Sequence, residues 1–213
     1  MNFDLSLYLV TDRTLLHGRD LVKTVEQAVQ AGVTMVQLRE KDCSTACFVA
    51  LAEALRHALR PYNVPLIIND RIDVALAVDA DGVHIGQSDM PYETARRLLG
   101  HDKIIGLSVE NLQQVKEANG LDVDYIGISP VFATDTKTDT ARPFGLDGLR
   151  EALSVSEHPT VAIGGMNERT IPEVMDCGVD GVALVSAIIA SNDVCSATRR
   201  LRSLVPDKKN RRV

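Results

Sequence analysis

A single-domain α/β fold, the (β/α)8 TIM barrel, is the class this sequence predicts, and three observations predict it. Short apolar or β-branched runs alternate with amphipathic helical stretches eight times along the chain. A helix between consecutive strands forces parallel pairing through right-handed crossovers, and eight such units close into a barrel more readily than they form an open sheet. Nothing divides the 213 residues into two compositions, and barrels of this kind usually run to about 250. Short loops and no added domain follow. The expected barrel covers 1–205, leaving 206–213 as a basic tail.

The units can be justified in order. The first strand is read at 5–11 and its helix at 20–31, where Leu21, Val25, Ala28 and Val29 share one face and Gly32 supplies the terminating C′ glycine. The second strand is read at 33–39, with a helix at 45–60 closed by Pro61. A third strand at 65–69 leads to a short helix around 72–78, and a fourth at 82–85 to a helix at 91–99 with Pro91 in its first turn. The second half keeps the rhythm: strands at 103–108, 123–129, 160–163 and 181–185, helices at 111–118, 146–153, 170–177 and 194–204. One connection, 130–145, is longer than the others, and its Thr and Lys content suits a lid.

Composition narrows the function classes. The net charge of -6 argues against general nucleic-acid binding, so any anion site must be local. No run approaches the roughly 18 to 20 apolar residues of a membrane span, and the first residues lack a basic, then apolar, leader. Membrane partners are not expected, and the location expected is the cytoplasm. Cys43, Cys47, Cys177 and Cys195 lack zinc-site spacing and are read as buried or idle thiols. The terminal Lys-Lys-Asn-Arg-Arg-Val is read as a solvated end.

In such barrels chemistry is built at the C-terminal ends of the strands. The run 33–41 changes character along its length: Val33, Met35, Gln37, Arg39 and Lys41 alternate, and as a strand they would share one face, apolar at its start and cationic at its end. Buried unpaired, those cations would cost several kcal/mol each, so they call for an anion or for solvent at a strand-loop junction. Strand three ends in Asn69, Asp70 and Arg71; strand four leads through His84 to Gln87 and Asp89; strand five ends in Ser108; the loop after strand six carries Thr134, Asp135, Thr136 and Lys137.

Two features here have physical readings. Gly164-Gly165 after strand seven and Ser186 before a short helical turn at 187–190 match the usual barrel phosphate site, or else serve tight-turn geometry alone. Asp70 and Asp89, with Arg39, Lys41 and Lys137 at the same mouth, suit Mg²⁺ shared with a polyphosphate. Helix N-capping is the alternative for each carboxylate. A phosphorylated acceptor opposite a metal-bound diphosphate donor describes a transferase that alkylates the first and releases diphosphate.

At these residues the chain resembles thiamine-phosphate synthases. The resemblance runs through Tyr-Leu-Val-Thr-Asp at 8–12, Gln-Leu-Arg-Glu-Lys at 37–41, Ile-Asn-Asp-Arg at 68–71, Gly-Val-His-Ile-Gly-Gln-Ser-Asp at 82–89, Gly-Leu-Ser at 106–108, Pro-Val-Phe-Ala-Thr-Asp-Thr-Lys at 130–137, Ala-Ile-Gly-Gly at 162–165 and Val185-Ser186. It implies joining of a hydroxymethylpyrimidine diphosphate to a thiazole phosphate, the carboxylated thiazole included, with one Mg²⁺ per subunit. It also implies dissociative loss of diphosphate and capture of the resulting pyrimidinylmethyl cation by the thiazole nitrogen. Gln37, Arg39, Lys41, Asn69, Ser108 and Lys137 would bind the pyrimidine diphosphate, with Ser108, Lys137 and Arg39 catalytic, and Leu38, Glu40 and Asp135 would also belong to the substrate-binding set. Thr134, Thr136, Gly165, Val185 and Ser186 would bind the thiazole phosphate, and Asp70 and Asp89 the metal. His84 is read as structural, because this chemistry assigns it no proton. Two phosphorylated small molecules are the implied partners, with a homo-oligomer left open. Ser129 and Glu110 depart from the family pattern, which commonly has Gly and His there. A thiazole tautomerase on the same barrel uses that histidine, so Glu110 together with Asp70, Asp89 and Lys137 favours the synthase. A phosphate-ligand sensor without turnover is the remaining alternative.

Overall fold

The structure, a computed structural model, describes residues 3–133 and 142–206. Eight strands alternate with helices in one closed parallel barrel, ordered β1 to β8 with β8 returning to β1. The units are β1 (Leu7–Val10) and α1 (Leu21–Gln30), β2 (Met35–Leu38) and α2 (Thr45–Leu59), β3 (Leu66–Asn69) and α3 (Ile72–Ala77), β4 (Gly82–Ile85) and α4 (Tyr92–Leu99). The second half adds β5 (Ile104–Val109) and α5 (Leu112–Ala118), β6 (Tyr125–Ile128) and α6 (Gly145–Val155), β7 (Thr160–Ile163) and α7 (Thr170–Asp176), and β8 (Gly181–Leu184) with α8 (Ser186–Ile189) and α9 (Val194–Ser203). Every expected unit is present. β4 and β7 match their expected bounds, β5 is shifted by one residue, and the other strands are one to three residues shorter than expected.

Local signals explain the helix ends. Asp20 caps α1 by accepting from the Lys23 N–H at 2.9 Å, and Gly32 takes φ +120° just beyond it. Asn111 caps α5 through the Gln114 N–H at 3.0 Å. Pro91 stands one position earlier than expected, at the N-cap of α4.

Two apolar layers follow from the two-residue period of a strand. Leu7, Leu9, Val36, Leu38, Ile68, Val83, Ile105, Ile126, Val182 and Leu184 point outward and are buried under the helices. Tyr8, Val10, Met35, Ile67, Ile104, Tyr125, Val161 and Ala183 fill the barrel interior. Gly106 makes room in that interior, since a Cβ there would lie 2.1 Å from the Tyr125 ring. Val33, expected on the Met35 face, lies before β2 and joins the outer layer instead. No helix among the described residues is long and apolar enough to cross a membrane. The expected tail lies, apart from Pro206, outside the described residues.

Candidate active site

A cavity of about 400 Å³ opens at the C-terminal ends of the strands. It brings together ten of the expected residues: Gln37, Arg39, Lys41, Asn69, Asp70, Asp89, Ser108, Gly165, Val185 and Ser186. Parity explains the β2 contribution: Met35 fills the barrel interior, so Gln37, Arg39 and Lys41 follow it on the cavity side. The same parity takes Leu38 and Glu40 away. Leu38 is fully buried in the outer layer, and Glu40 pairs with Arg13 at 2.7 Å, so neither side chain lines the cavity. Thr134, Asp135, Thr136 and Lys137 lie outside the described residues.

Arg39 is held by its backbone N–H, which donates to the buried Thr11 hydroxyl at 3.0 Å. Lys41 Nζ contacts Asp70 Oδ2 at 2.6 Å. Asp70 itself sits in the left-handed region at φ +60°, with its N–H donating to the His84 carbonyl at 2.9 Å. Such a conformation costs a non-glycine residue about 1 to 3 kcal/mol and is found where a side chain must be aimed. The capping alternative fails for both carboxylates: the N-cap positions of α3 and α4 are Arg71 and Pro91, and neither helix has a side-chain cap. Asp89 instead accepts from the Gly86 N–H at 2.7 Å, closing the turn after β4. Its carboxyl is raised above the ordinary value by burial and by the Asp70 carboxyl within hydrogen-bonding reach. Lys41 supplies one positive charge to this pair, and two carboxylates this close also favour a shared proton or a further cation. This donor set fits Mg²⁺, which takes one or two protein carboxylates and completes its shell with phosphate oxygens and water. No cluster of three or more His, Cys, Asp or Glu side chains with metal-site geometry occurs among the described residues.

Across the cavity, Gly164 and Gly165 have φ of +99° and +72°. Their missing side chains let the segment after β6 lie against β7: the Val131 N–H donates to the Ile163 carbonyl at 2.9 Å and the Phe132 N–H to the Gly164 carbonyl at 3.1 Å. A Cβ on Gly164 would meet Pro130 at 2.8 Å, and one on Gly165 would meet Phe132 at 2.7 Å. The tight-turn reading is therefore true of both glycines, and it leaves the phosphate reading intact. Asn167 and Thr170 side chains both donate to the Gly165 carbonyl, at 3.0 and 2.9 Å, which fixes that peptide plane in the cavity that Ser186 of α8 also lines. The other end of the β6 connection is pinned too, by Phe144 N–H to the Pro130 carbonyl and Gly145 N–H to the Val131 carbonyl.

The cavity is also lined by residues to which the sequence reading gives no ligand, of which it places only His84 and Gln87 at a strand end. Tyr8 and Tyr125 form its floor, and His84, Gln87 and Glu110 its wall. His84 does more than pack, since both ring nitrogens are hydrogen-bonded, to Tyr125 and to Ser108. Strand parity carried this signal: Tyr8, His84 and Tyr125 occupy inward positions, where a polar tip must find a partner.

The model of one protein family, described as thiamine monophosphate synthase, matches residues 7–188. The chain belongs to the thiamine monophosphate synthase family. A thiamine-phosphate synthase of Albidiferax ferrireducens is 54% identical over 201 residues, covering 94% of this chain and 92% of that one. Another from Clostridium novyi is 47% identical over 204 residues, covering 96% and 100%. The solved thiamine phosphate pyrophosphorylase of Pyrococcus furiosus superposes with a TM-score of 0.86 at 42% identity, over 94% of this chain and 95% of that one. Membership bears out the expected resemblance, the single (β/α)8 barrel and a transferase of thiamine biosynthesis.

Proposed function

We propose that this chain joins a hydroxymethylpyrimidine diphosphate to a thiazole phosphate, carboxylated or not, and releases diphosphate. The observation that carries the reading is the division of one cavity into two anion ends. Arg39, Lys41 and the Asp70–Asp89 pair stand on the β2–β4 side, while Gly165, Val185 and Ser186 stand on the β7–β8 side. Mg²⁺ held by Asp70 and Asp89 would supply positive charge to the departing diphosphate when bound.

The chain's own residues would do the rest. Arg39 and Lys41 bind the diphosphate as it leaves, and Ser108 and Asn69 flank the reacting carbon from β5 and β3. Bare backbone at Gly165 and the first turn of α8 orient the thiazole phosphate, so that the ring nitrogen faces the carbon losing its diphosphate. No protein nucleophile or strong base is needed, which suits a cavity lined by the cations Arg39 and Lys41 and the carboxylates of Asp70, Asp89 and Glu110. Both substrates carry phosphate and do not cross membranes unaided, so the enzyme works where they are made, in the cytoplasm.

Lys137 belongs to this scheme on sequence grounds. Lys137→Ala is expected to weaken use of the pyrimidine diphosphate by roughly 10- to 100-fold, the worth of one charge-assisted hydrogen bond of about 1.5 to 3 kcal/mol. Steady-state kinetics with each substrate varied in turn will show it; a loss confined to the thiazole phosphate would put Lys137 at the other anion. The reading as a whole is tested by incubating the protein with both precursors and Mg²⁺ and identifying products by mass spectrometry. A coupled product that requires both precursors and is suppressed by EDTA supports the transferase. A rearranged thiazole without coupling indicates the tautomerase, and binding without turnover the sensor.

A further inference from the structure

Along the floor and wall of the cavity, five polar side chains from five strands form one continuous chain of hydrogen bonds. The Gln37 amide nitrogen donates to the Tyr8 hydroxyl at 2.8 Å, the Tyr8 and Tyr125 hydroxyls are 2.9 Å apart, Tyr125 meets His84 Nδ1 at 2.9 Å, and His84 Nε2 meets Ser108 Oγ at 2.8 Å. The chain crosses the barrel interior from β2 through β1, β6 and β4 to β5. Its middle is dry, with Tyr125 fully buried, Tyr8 1% exposed and Gln37 4% exposed. Two glycines make space for it: Gly106 for the Tyr125 ring, and Gly127, where a Cβ would stand 3.2 Å from His84.

Proton counting gives the chain a direction. Burial pushes both phenols above their ordinary value, so each hydroxyl keeps its proton. Tyr8 accepts from Gln37 and has one proton to give. If Tyr125 donated to Tyr8, the Tyr8 proton would be left with no protein acceptor among the described residues, on a residue only 1% exposed, and an unsatisfied buried donor is costly. Tyr8 therefore donates to Tyr125, and Tyr125 donates to His84 Nδ1. The imidazole is left neutral with its proton on Nε2, where it donates to Ser108 Oγ. The Ser108 proton is then directed out of the chain toward the cavity. At the opposite end, the Gln37 amide oxygen is left as an acceptor.

We propose that Tyr8, Tyr125 and His84 are positioning residues that fix this polarity, presenting a hydrogen-bond donor at Ser108 and an acceptor at Gln37 to one bound substrate. What they orient rests on the proposed function: the Ser108 proton faces the group that becomes anionic on leaving, and the Gln37 oxygen faces an amino substituent of the heteroaromatic ring. His84 in this arrangement is committed at both nitrogens and carries no proton between substrates.

The chain's polarity is measured without any substrate. Long-range proton–nitrogen NMR of histidine-labelled protein, with His84 assigned through His84→Asn, is expected to show a neutral ring protonated at Nε2 near pH 7. A ring protonated at Nδ1, or at both nitrogens, overturns the proposal. Tyr125→Phe keeps the ring and removes the central hydroxyl. It is expected to lower kcat by roughly 10- to 100-fold, as buried partners lose their bonds, and to cost much less when Ser108→Ala is already present. Additive losses would contradict a chain acting through Ser108. If Tyr125→Phe does not fold, Tyr8→Phe combined with Gln37→Ala reads the other end in the same way. A wild-type enzyme that makes the coupled product while these losses add defeats the chain and spares the function. A wild-type protein that makes no product defeats the function and leaves the NMR result to judge the chain.

Discussion

Asp89→Asn is expected to turn over about 10²- to 10³-fold more slowly than the wild type, the scale of losing one preorganised charge-stabilising group. The substitution is chosen because the Asn carbonyl can still accept from the Gly86 N–H that Asp89 engages at 2.7 Å, so the turn after β4 survives. The Asp89 carboxyl is raised in the folded protein by burial and by Asp70. A raised carboxyl contributes stability below its unfolded pKa and loses it as pH rises through the folded one, so at neutral pH its ionisation opposes folding. Removing the charge should leave the Tm unchanged or slightly higher. Activity lost with stability kept marks a group that serves the reaction; unchanged turnover would remove the metal from the account.

Gly164→Ala should do the reverse and damage both at once. At φ +99° any side chain is strained, and the added Cβ would lie 2.8 Å from Pro130 Cβ and 2.9 Å from its Cα. Strain of about 1 to 3 kcal/mol with overpacking of similar size predicts a Tm lower by roughly 5 to 15 °C in a domain of this size. Because the same contact seats the segment after β6 against β7, the KM for the thiazole phosphate should rise more than that for the pyrimidine diphosphate. Differential scanning calorimetry and two-substrate kinetics check the two halves; a variant as stable as the wild type would mean the segment can move aside without cost.

The eight-unit rhythm was legible because apolar alternation and helix periodicity are local signals, and the outer layer from Leu7 to Leu184 follows them directly. The ends of the elements were less so, since Val33 is apolar for packing against helices rather than for belonging to β2. At the site, parity located Gln37, Arg39 and Lys41, and strand ends located Asn69, Asp70 and Ser108. Parity would also have excluded Leu38 and Glu40 as cavity-lining side chains, had the contiguous motif not been read as a block. Asp70 and Asp89 each looked as much like helix caps as ligands, and it took the observed N-caps of α3 and α4, Arg71 and Pro91, together with the Gly86 contact of Asp89, to separate the readings. The Tyr8–Tyr125–His84 chain was out of reach because its partners are up to 117 residues apart in sequence. No spacing rule announces a contact made across a barrel interior.

The account turns on a cation seated between the two carboxylates and shared with diphosphate. Crystals grown with Mn²⁺ in place of Mg²⁺ and with diphosphate, the released product, report this directly through the anomalous signal of the metal. The predicted map has one peak touching Asp70 and Asp89, with diphosphate oxygens completing the shell and Arg39 and Lys41 on the same anion. A peak remote from both carboxylates, or diphosphate seated against Gly165 and Ser186 instead, would contradict it.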